Sequence, residues 1–262
     1  MDILDEIFAH KRDEVAAARR LTPLAEVRRR AEQTAAALPF ANALRRPSAE
    51  APLRLIAEVK CASPSRGLLA PHFDPPALAH TYQQAGAAAI SVLTDEKYFK
   101  GSLAYLQQIA ALTPRLPLLR KDFILDAYQV YEGRAAGADA ILLIAAYLEP
   151  ALLADLYALT VSLGMTALVE VHNATELEKA LALNPTLLGI NNRNLHDFSV
   201  CLDTCLSLRA LVPAEVVVVA ESGIHNAVDV TRLKTGGLDA MLVGEALVTA
   251  PDPALKIKEL LV

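Results

Sequence analysis

Two opposite charges, Glu58 and Lys60, close the apolar run LRLIAEVK at residues 53–60. Side chains two apart on a strand share a face, so a strand here would aim a carboxylate and an amine the same way. Burying either against a core is costly unless the group is paired or used. The pattern recurs: Lys121 and Asp122 close LPLLRKD, Glu170 sits in MTALVEV, Asn191 and Arg193 in LLGINNR, and Glu221 and Ser222 end VVVVAES. Taken singly, each such charge is more often a solvated or paired surface group. Five runs that all end in an acid, a base or an amide are hard to explain as packing. A wet pocket lined by both signs of charge accounts for them together and supplies the donors and acceptors of general acid–base chemistry.

A second signal suits phosphate. Ser222 and Gly223 follow VVVVAE, and Gly244 follows DAMLV just before a short helical run. Glycine lets a backbone approach a ligand closely, and backbone N–H groups near a helix start hold phosphate. Each glycine alone would be an ordinary turn former. In the loop CASPSRGLLAPHFDP (61–75), Ser63, Ser65 and Arg66 could meet an anion, and its Pro and Gly residues permit movement. A plain solvated role stays open for Arg66. Cys61 has the opposite strand parity to Lys60, which favours packing. His172, His196 and His225 follow strand ends without a metal-ligand spacing and are expected to be loop residues, so no metal site is predicted.

These residues need a scaffold. Short Val, Ile and Leu runs recur eight times, from LRLIAEVK to DAMLVGE, on average about 26 residues apart, the length of one strand–helix–strand step. Helical patterns such as DAYQVYEGRAAG and ATELEKALAL lie between them, several ending at Gly86, Gly137 or Gly236, where a C-cap favours a left-handed residue. Near-continuous apolar strands alternating with helices predict an α/β fold, a (β/α)8 TIM barrel, with chemistry at the C-terminal strand ends. No Gly-x-Gly-x-x-Gly follows the first run, which argues against a dinucleotide site. With no linker evident, residues 1–262 are expected to form a single barrel domain. Within it, 1–50 is an N-terminal helical extension expected to cover one barrel face.

The composition narrows the partners. The chain has 262 residues, 53% of them hydrophobic, and a net charge of −5. Binding to nucleic acid or to a membrane surface needs an excess of Lys and Arg, so neither is expected. Three cysteines, Cys61, Cys201 and Cys205, make no disulfide framework and fit a reducing compartment; the last two are expected on one helix face. The N-terminus is charged throughout, unlike a signal peptide. The longest apolar region is broken by Glu149, Pro150 and Asp155 and reads as strand, loop and helix. A soluble, cytoplasmic monomer is expected.

Several motifs together resemble the indole-3-glycerol phosphate synthase family. They are ILDEIFAHKRDEV, IAEVKCASPSRG, SVLTDEKYFKGS, LRKDFILDAYQV, ADAILLI, LVEVHN, GINNRNL, AESGI and LVGEALV, in the family's order over nearly the whole chain. The resemblance implies closure of 1-(2-carboxyphenylamino)-1-deoxyribulose 5-phosphate to indole-3-glycerol phosphate, with loss of carbon dioxide and water and without metal or organic cofactor. By the same resemblance Lys121 is the general acid, Glu170 an acid/base carboxylate for dehydration, and Lys60 a second lysine near the substrate carboxylate. Glu58 and Asn191 orient lysines and substrate hydroxyls, and Arg193 and Ser222 belong to that network. Ser63, Phe99 and Leu142 border the anthranilate end, and Gly223 and Gly244 offer backbone to phosphate. Glu245 would repel phosphate if turned inward, so only its backbone N–H is expected to serve. The neighbouring phosphoribosylanthranilate isomerase chemistry uses a Cys base on the first strand and an Asp acid on the sixth, whereas here Cys61 lies beyond Lys60 and the sixth strand carries Asn191. A non-catalytic phosphate sensor would have no use for Lys121 and Glu170.

Overall fold

The apolar runs become eight parallel strands: β1 (Arg54–Val59), β2 (Ala89–Leu93), β3 (Leu118–Lys121), β4 (Ala140–Ile144), β5 (Thr166–Val171), β6 (Leu187–Asn191), β7 (Val217–Glu221) and β8 (Ala240–Val243). This computed structural model describes residues 3–64, 66–70, 73–194 and 199–261, so the expectations for Ser65 and His196 fall outside the described residues. The strands close into a barrel in chain order. β1 completes the ring, with Arg54 opposite Ala240 of β8 and Ile56 opposite Ala89 of β2.

Strand alternation explains why the runs look uniformly apolar. Leu55, Ala57 and Val59 point outward into the layer beneath the helices, as do Ile141, Val169, Ile190 and Val218. Ile56, Leu119, Leu142, Leu168, Val219 and Leu242 point inward and fill the barrel. Both faces are buried, so both parities need apolar side chains. The inward columns end in Glu58, Lys121, Glu170, Asn191 and Glu221, and all five border one cavity at the C-terminal mouth.

The described residues hold thirteen helices: α1 (Ile3–Leu21), α2 (Leu24–Gln33), α3 (Phe40–Leu44), α4 (Pro75–Ala85), α5 (Glu96–Phe99), α6 (Leu103–Ala110), α7 (Ala127–Ala135), α8 (Pro150–Ser162), α9 (Ala174–Leu181), α10 (Asp203–Arg209), α11 (Ala227–Thr235), α12 (Glu245–Val248) and α13 (Pro253–Leu260). Those between strands return the chain, and their ends carry local signals. Asp126 caps α7 (Ala127–Ala135) by accepting from Tyr128 N at 2.7 Å, and Asn226 with Asp229 forms a capping box on α11 (Ala227–Thr235). Gly86 (φ 105°) and Gly137 (φ 95°) are left-handed as expected. Gly236 is not: it stays right-handed (φ −73°), and the next residue, Gly237 (φ 81°), makes the reversal. Cys201 and Cys205 do not share a helix face, because Cys201 precedes α10 (Asp203–Arg209) and is exposed, whereas Cys205 is buried within it. Among the described residues no helix is long and apolar enough to cross a membrane.

The N-terminal segment departs from expectation. It reaches both ends of the barrel rather than covering one face. α1 (Ile3–Leu21) lies at the mouth, where Leu4 and Ile7 border the cavity. Its Lys11 is fully buried, with Nζ 2.9 Å from both Asp95 and Asp122. α2 (Leu24–Gln33) runs down the outside against α7. α3 (Phe40–Leu44) then closes the opposite end, where Phe40 and Leu44 pack with Ala88 and Ala89 at the start of β2. Leu38 N donates to Asp139 Oδ1 (2.8 Å) and Arg54 Nε to the Ala43 carbonyl (3.0 Å), tying this segment to the N-terminal ends of β4 and β1. The chain has apolar side chains for both ends because a barrel leaves its interior open at each.

Candidate active site

Lys121 ends β3 on the wall of the mouth. Its Nζ donates to Glu221 Oε2 at 2.9 Å and to Glu170 Oε2 at 3.3 Å. Burial acts to lower the pKa of the amine, but Glu221, Glu170 and Glu58 together outweigh it and hold the lysine above its usual value. For Glu170, burial alone would favour the neutral acid; Lys121, His172 and the Asn191 amide reverse this and hold it well below the usual carboxylate range. Glu221 goes the other way: burial and the nearby Glu170 charge raise it despite Lys121. Two carboxylates sharing one amine are thus driven apart, one ionised and one the first to take a proton, a pattern suited to acid–base chemistry. Gly189 makes this possible: a Cβ there would lie 2.2 Å from Glu221 Oε1.

Lys60 follows β1, two strands round the barrel from Lys121. Its Nζ lies 3.4 Å from Glu58 Oε1 and 5.5 Å from the centre of the Phe99 ring, a cation over an aromatic face. The two charges of the opening run therefore do point the same way, and they pair. Phe99 ends the short helix α5 (Glu96–Phe99), fixed by the Asp95 carboxylate, which accepts from Tyr98 N (2.8 Å) and Phe99 N (3.3 Å). The other oxygen of Asp95 meets Lys11, so α1 holds the ring beside Lys60. Leu142 and the buried Ser63 border the same cavity. Cys61 is absent from its wall.

At the far side Ser222 (φ 66°) and Gly223 (φ 77°) are both left-handed. A serine in that conformation is strained by about 1–2 kcal/mol, a feature that gathers at ligand sites; Asn192 Nδ2 donates to its carbonyl at 3.0 Å. Gly244 serves a purpose the sequence did not disclose. Its φ of −122° needs no glycine, but a Cβ there would lie 2.4 Å from Glu58 Oε1. Glu245 turns its carboxylate to Arg66, 3.0 Å away, so Arg66 meets a protein carboxylate. Arg193 borders the cavity, and its backbone N donates to Asn191 Oδ1 at 3.0 Å.

All twelve residues predicted for the site thus border one cavity. Asp122, named beside Lys121, has the other parity. It pairs with Lys11 and with Arg120 Nη2 (3.2 Å), anchoring the N-terminal helix. Three groups escaped the sequence reading. Glu221 has no assigned role in the sequence pattern, although it shares the inward parity of Val217 and Val219. His172 was expected to be a loop residue, yet it faces Glu170 at 3.3 Å; it lies two residues on, so the same-face rule was enough to find it. Lys11 carried no signal, since only the folded chain brings it to Asp95 and Asp122. Among the described residues no cluster of His, Cys, Asp and Glu is arranged to hold a metal ion.

The indole-3-glycerol phosphate synthase family model matches residues 4–260. The chain is 54% identical to the indole-3-glycerol phosphate synthase of Roseiflexus castenholzii, over 98% of this chain and 97% of that one. It is 51% identical to that of Albidiferax ferrireducens, over 99% and 98%. Among solved structures, 3-hexulose-6-phosphate synthase from Salmonella typhimurium superposes with a TM-score of 0.64 at 12% identity, covering 79% of this chain and 96% of the other, a likeness of fold alone.

Proposed function

The chain belongs to the indole-3-glycerol phosphate synthase family and is a carboxy-lyase of tryptophan biosynthesis, and we propose that the residues of its barrel mouth divide that reaction as follows. Lys121 is the general acid. As the aromatic ring of 1-(2-carboxyphenylamino)-1-deoxyribulose 5-phosphate attacks the ketone carbon, the ammonium protonates the oxygen that would otherwise become an alkoxide. Loss of carbon dioxide then restores the aromatic ring, aided by a site that strips water from the carboxylate. In the last step a proton and the new hydroxyl leave as water, with Glu170 as the acid/base group. Lys60 sits by the substrate carboxylate, oriented by Glu58. Asn191 holds Glu170, and Glu221 keeps Lys121 charged. Ser63, Phe99 and Leu142 receive the anthranilate end, Arg193 and Ser222 the polar centre, and the Gly223 and Gly244 backbone the phosphate.

The observation that carries this reading is the position of Lys121 Nζ, between Glu221 at 2.9 Å and Glu170 at 3.3 Å on the cavity wall. A fluorescence time course of indole-3-glycerol phosphate formation from the carboxyphenylamino-deoxyribulose phosphate tests it. Wild-type protein should turn over, and Lys121→Ala should lower kcat by roughly 10²–10⁴-fold, the usual contribution of an acid–base group. Turnover by the variant near the wild-type rate would remove Lys121 from the acid role.

The reading extends to the whole chain. Residues 1–262 act as one catalytic domain, supported by an extension (1–50) that touches both ends of the barrel. A cytoplasmic location is supported by three unpaired cysteines. A monomer is supported by the spread of exposed large apolar side chains over α1, α11 and elsewhere, including Leu21 and Val228.

A further inference from the structure

We propose that His172 is a positioning residue for Glu170, linking its carboxylate to Glu176 at the start of helix α9 (Ala174–Leu181). The inference rests on the reading of Glu170 as the acid/base group. His172 Nε2 lies 3.3 Å from Glu170 Oε1, and Nδ1 lies 3.0 Å from Glu176 Oε2. A neutral imidazole has one N–H. The Nδ1 contact to Glu176 is a hydrogen bond and the Nε2 contact to Glu170 a charge contact at 3.3 Å, and a carboxylate beside each nitrogen favours the doubly protonated ring, an imidazolium. Glu170 then has a cation at each oxygen, His172 at Oε1 and Lys121 at Oε2. That arrangement fixes the plane of the carboxylate and keeps it ionised.

The outer end of the chain is built into secondary structure. Asn173 caps α9, accepting from Glu176 N (3.0 Å) and donating from Nδ2 to Glu176 Oε1 (2.6 Å). His172 N donates to Glu176 Oε2 at 2.8 Å. The Glu176 carboxylate is thus held by backbone and cap together and cannot turn away from the ring. A site group braced through a helix start is held more tightly than one on a free loop.

The electrostatics agree. Burial acts to lower the His172 pKa, but Glu170 and Glu176 raise it to about 10. Glu170 is faced in turn by Lys121 and the Asn191 amide, and through Lys121 by Glu221. Asp5 and Arg193 border the same depression as His172. Lys179 of α9 is turned to the Ala145 carbonyl at 2.7 Å.

Glu176→Gln is the informative variant, because it touches no group of the catalytic centre and keeps an oxygen for the ring. Two readouts are taken: the His172 ring titration by NMR, and kcat against pH. The titration does not depend on turnover, so it tests the link even if the assigned reaction fails, which the wild-type time course would reveal separately. In the variant the His172 midpoint should fall by about one pH unit or more. Its kcat should then decline as pH rises through that midpoint, with KM within twofold of wild type. His172→Gln, which keeps a donor but no charge, should lower kcat by about tenfold at all pH values, a fraction of what an acid–base group itself contributes. A His172 midpoint unmoved in Glu176→Gln, or wild-type kcat and pH profile in folded His172→Gln, would overturn the proposal.

Discussion

Lys121 is charged because three carboxylates outweigh its burial, and the dependence is mutual: without the amine Glu221 is buried with no cation beside it, while Glu170 keeps only His172. Lys121→Ala should therefore lose stability as well as activity, by about 3–5 kcal/mol at pH 8, the usual cost of breaking a buried ion pair from one side. The sign of its pH dependence follows. In the variant Glu221, already raised by burial and by Glu170, loses the amine that opposed the shift, so its folded pKa lies further above the unfolded one. The stability such groups contribute is present at low pH and is lost as pH rises through the folded values. The deficit relative to wild type should shrink from pH 8 to pH 5, as read from urea midpoints; a constant deficit would mean the loss is one of packing. The identity of Lys121 was legible from its position in the strand. Its partners lie 49 and 100 residues away, and no local pattern announces which carboxylate will be its neighbour.

Helices do more here than return the chain. α1 inserts Lys11 between Asp95, which caps the helix bearing Phe99, and Asp122, which follows Lys121 and is braced by Arg120. One buried amine thus connects the N-terminal segment to the ends of two strands beside the site. Lys11→Met preserves much of the apolar stem but leaves Asp95 without that cation. It should lower stability by about 3–5 kcal/mol, measured by urea unfolding, and Arg120 should limit the damage at Asp122. A change under 1 kcal/mol would show that the network contributes no net stability. The amphipathic character of α1 was readable, and its docking at the mouth was not, because its acidic and basic residues look equally solvated in sequence.

The molecule carries a net charge of −5 yet places Lys60, Lys121 and Arg193 around one cavity. The substrate bears a phosphate and a carboxylate, so local cations must overcome repulsion from the whole. Raising ionic strength from 0.01 to 0.15 M shortens the Debye length from about 30 Å to about 8 Å. KM should rise several-fold as the attraction from the mouth is screened, with kcat nearly constant, since the buried contacts to Lys121 are little screened. A falling KM over that range would mean the overall negative charge dominates the approach of substrate.

The sequence by itself determined the barrel, the strand ends and the parity of the polar residues. These follow from short-range rules: side chains two apart share a face, and a helix of about ten residues must lie between parallel strands. Hence Glu58 with Lys60, and Asn191 with Arg193, could be placed before any contact was known. Only the tertiary structure decided that Glu221 and Glu170 share Lys121, that Gly189 and Gly244 leave room for carboxylates, and that Lys11 reaches Asp95. Ion pairs and steric contacts need a separation of a few ångströms, and closing the barrel is what brings these residues within that distance.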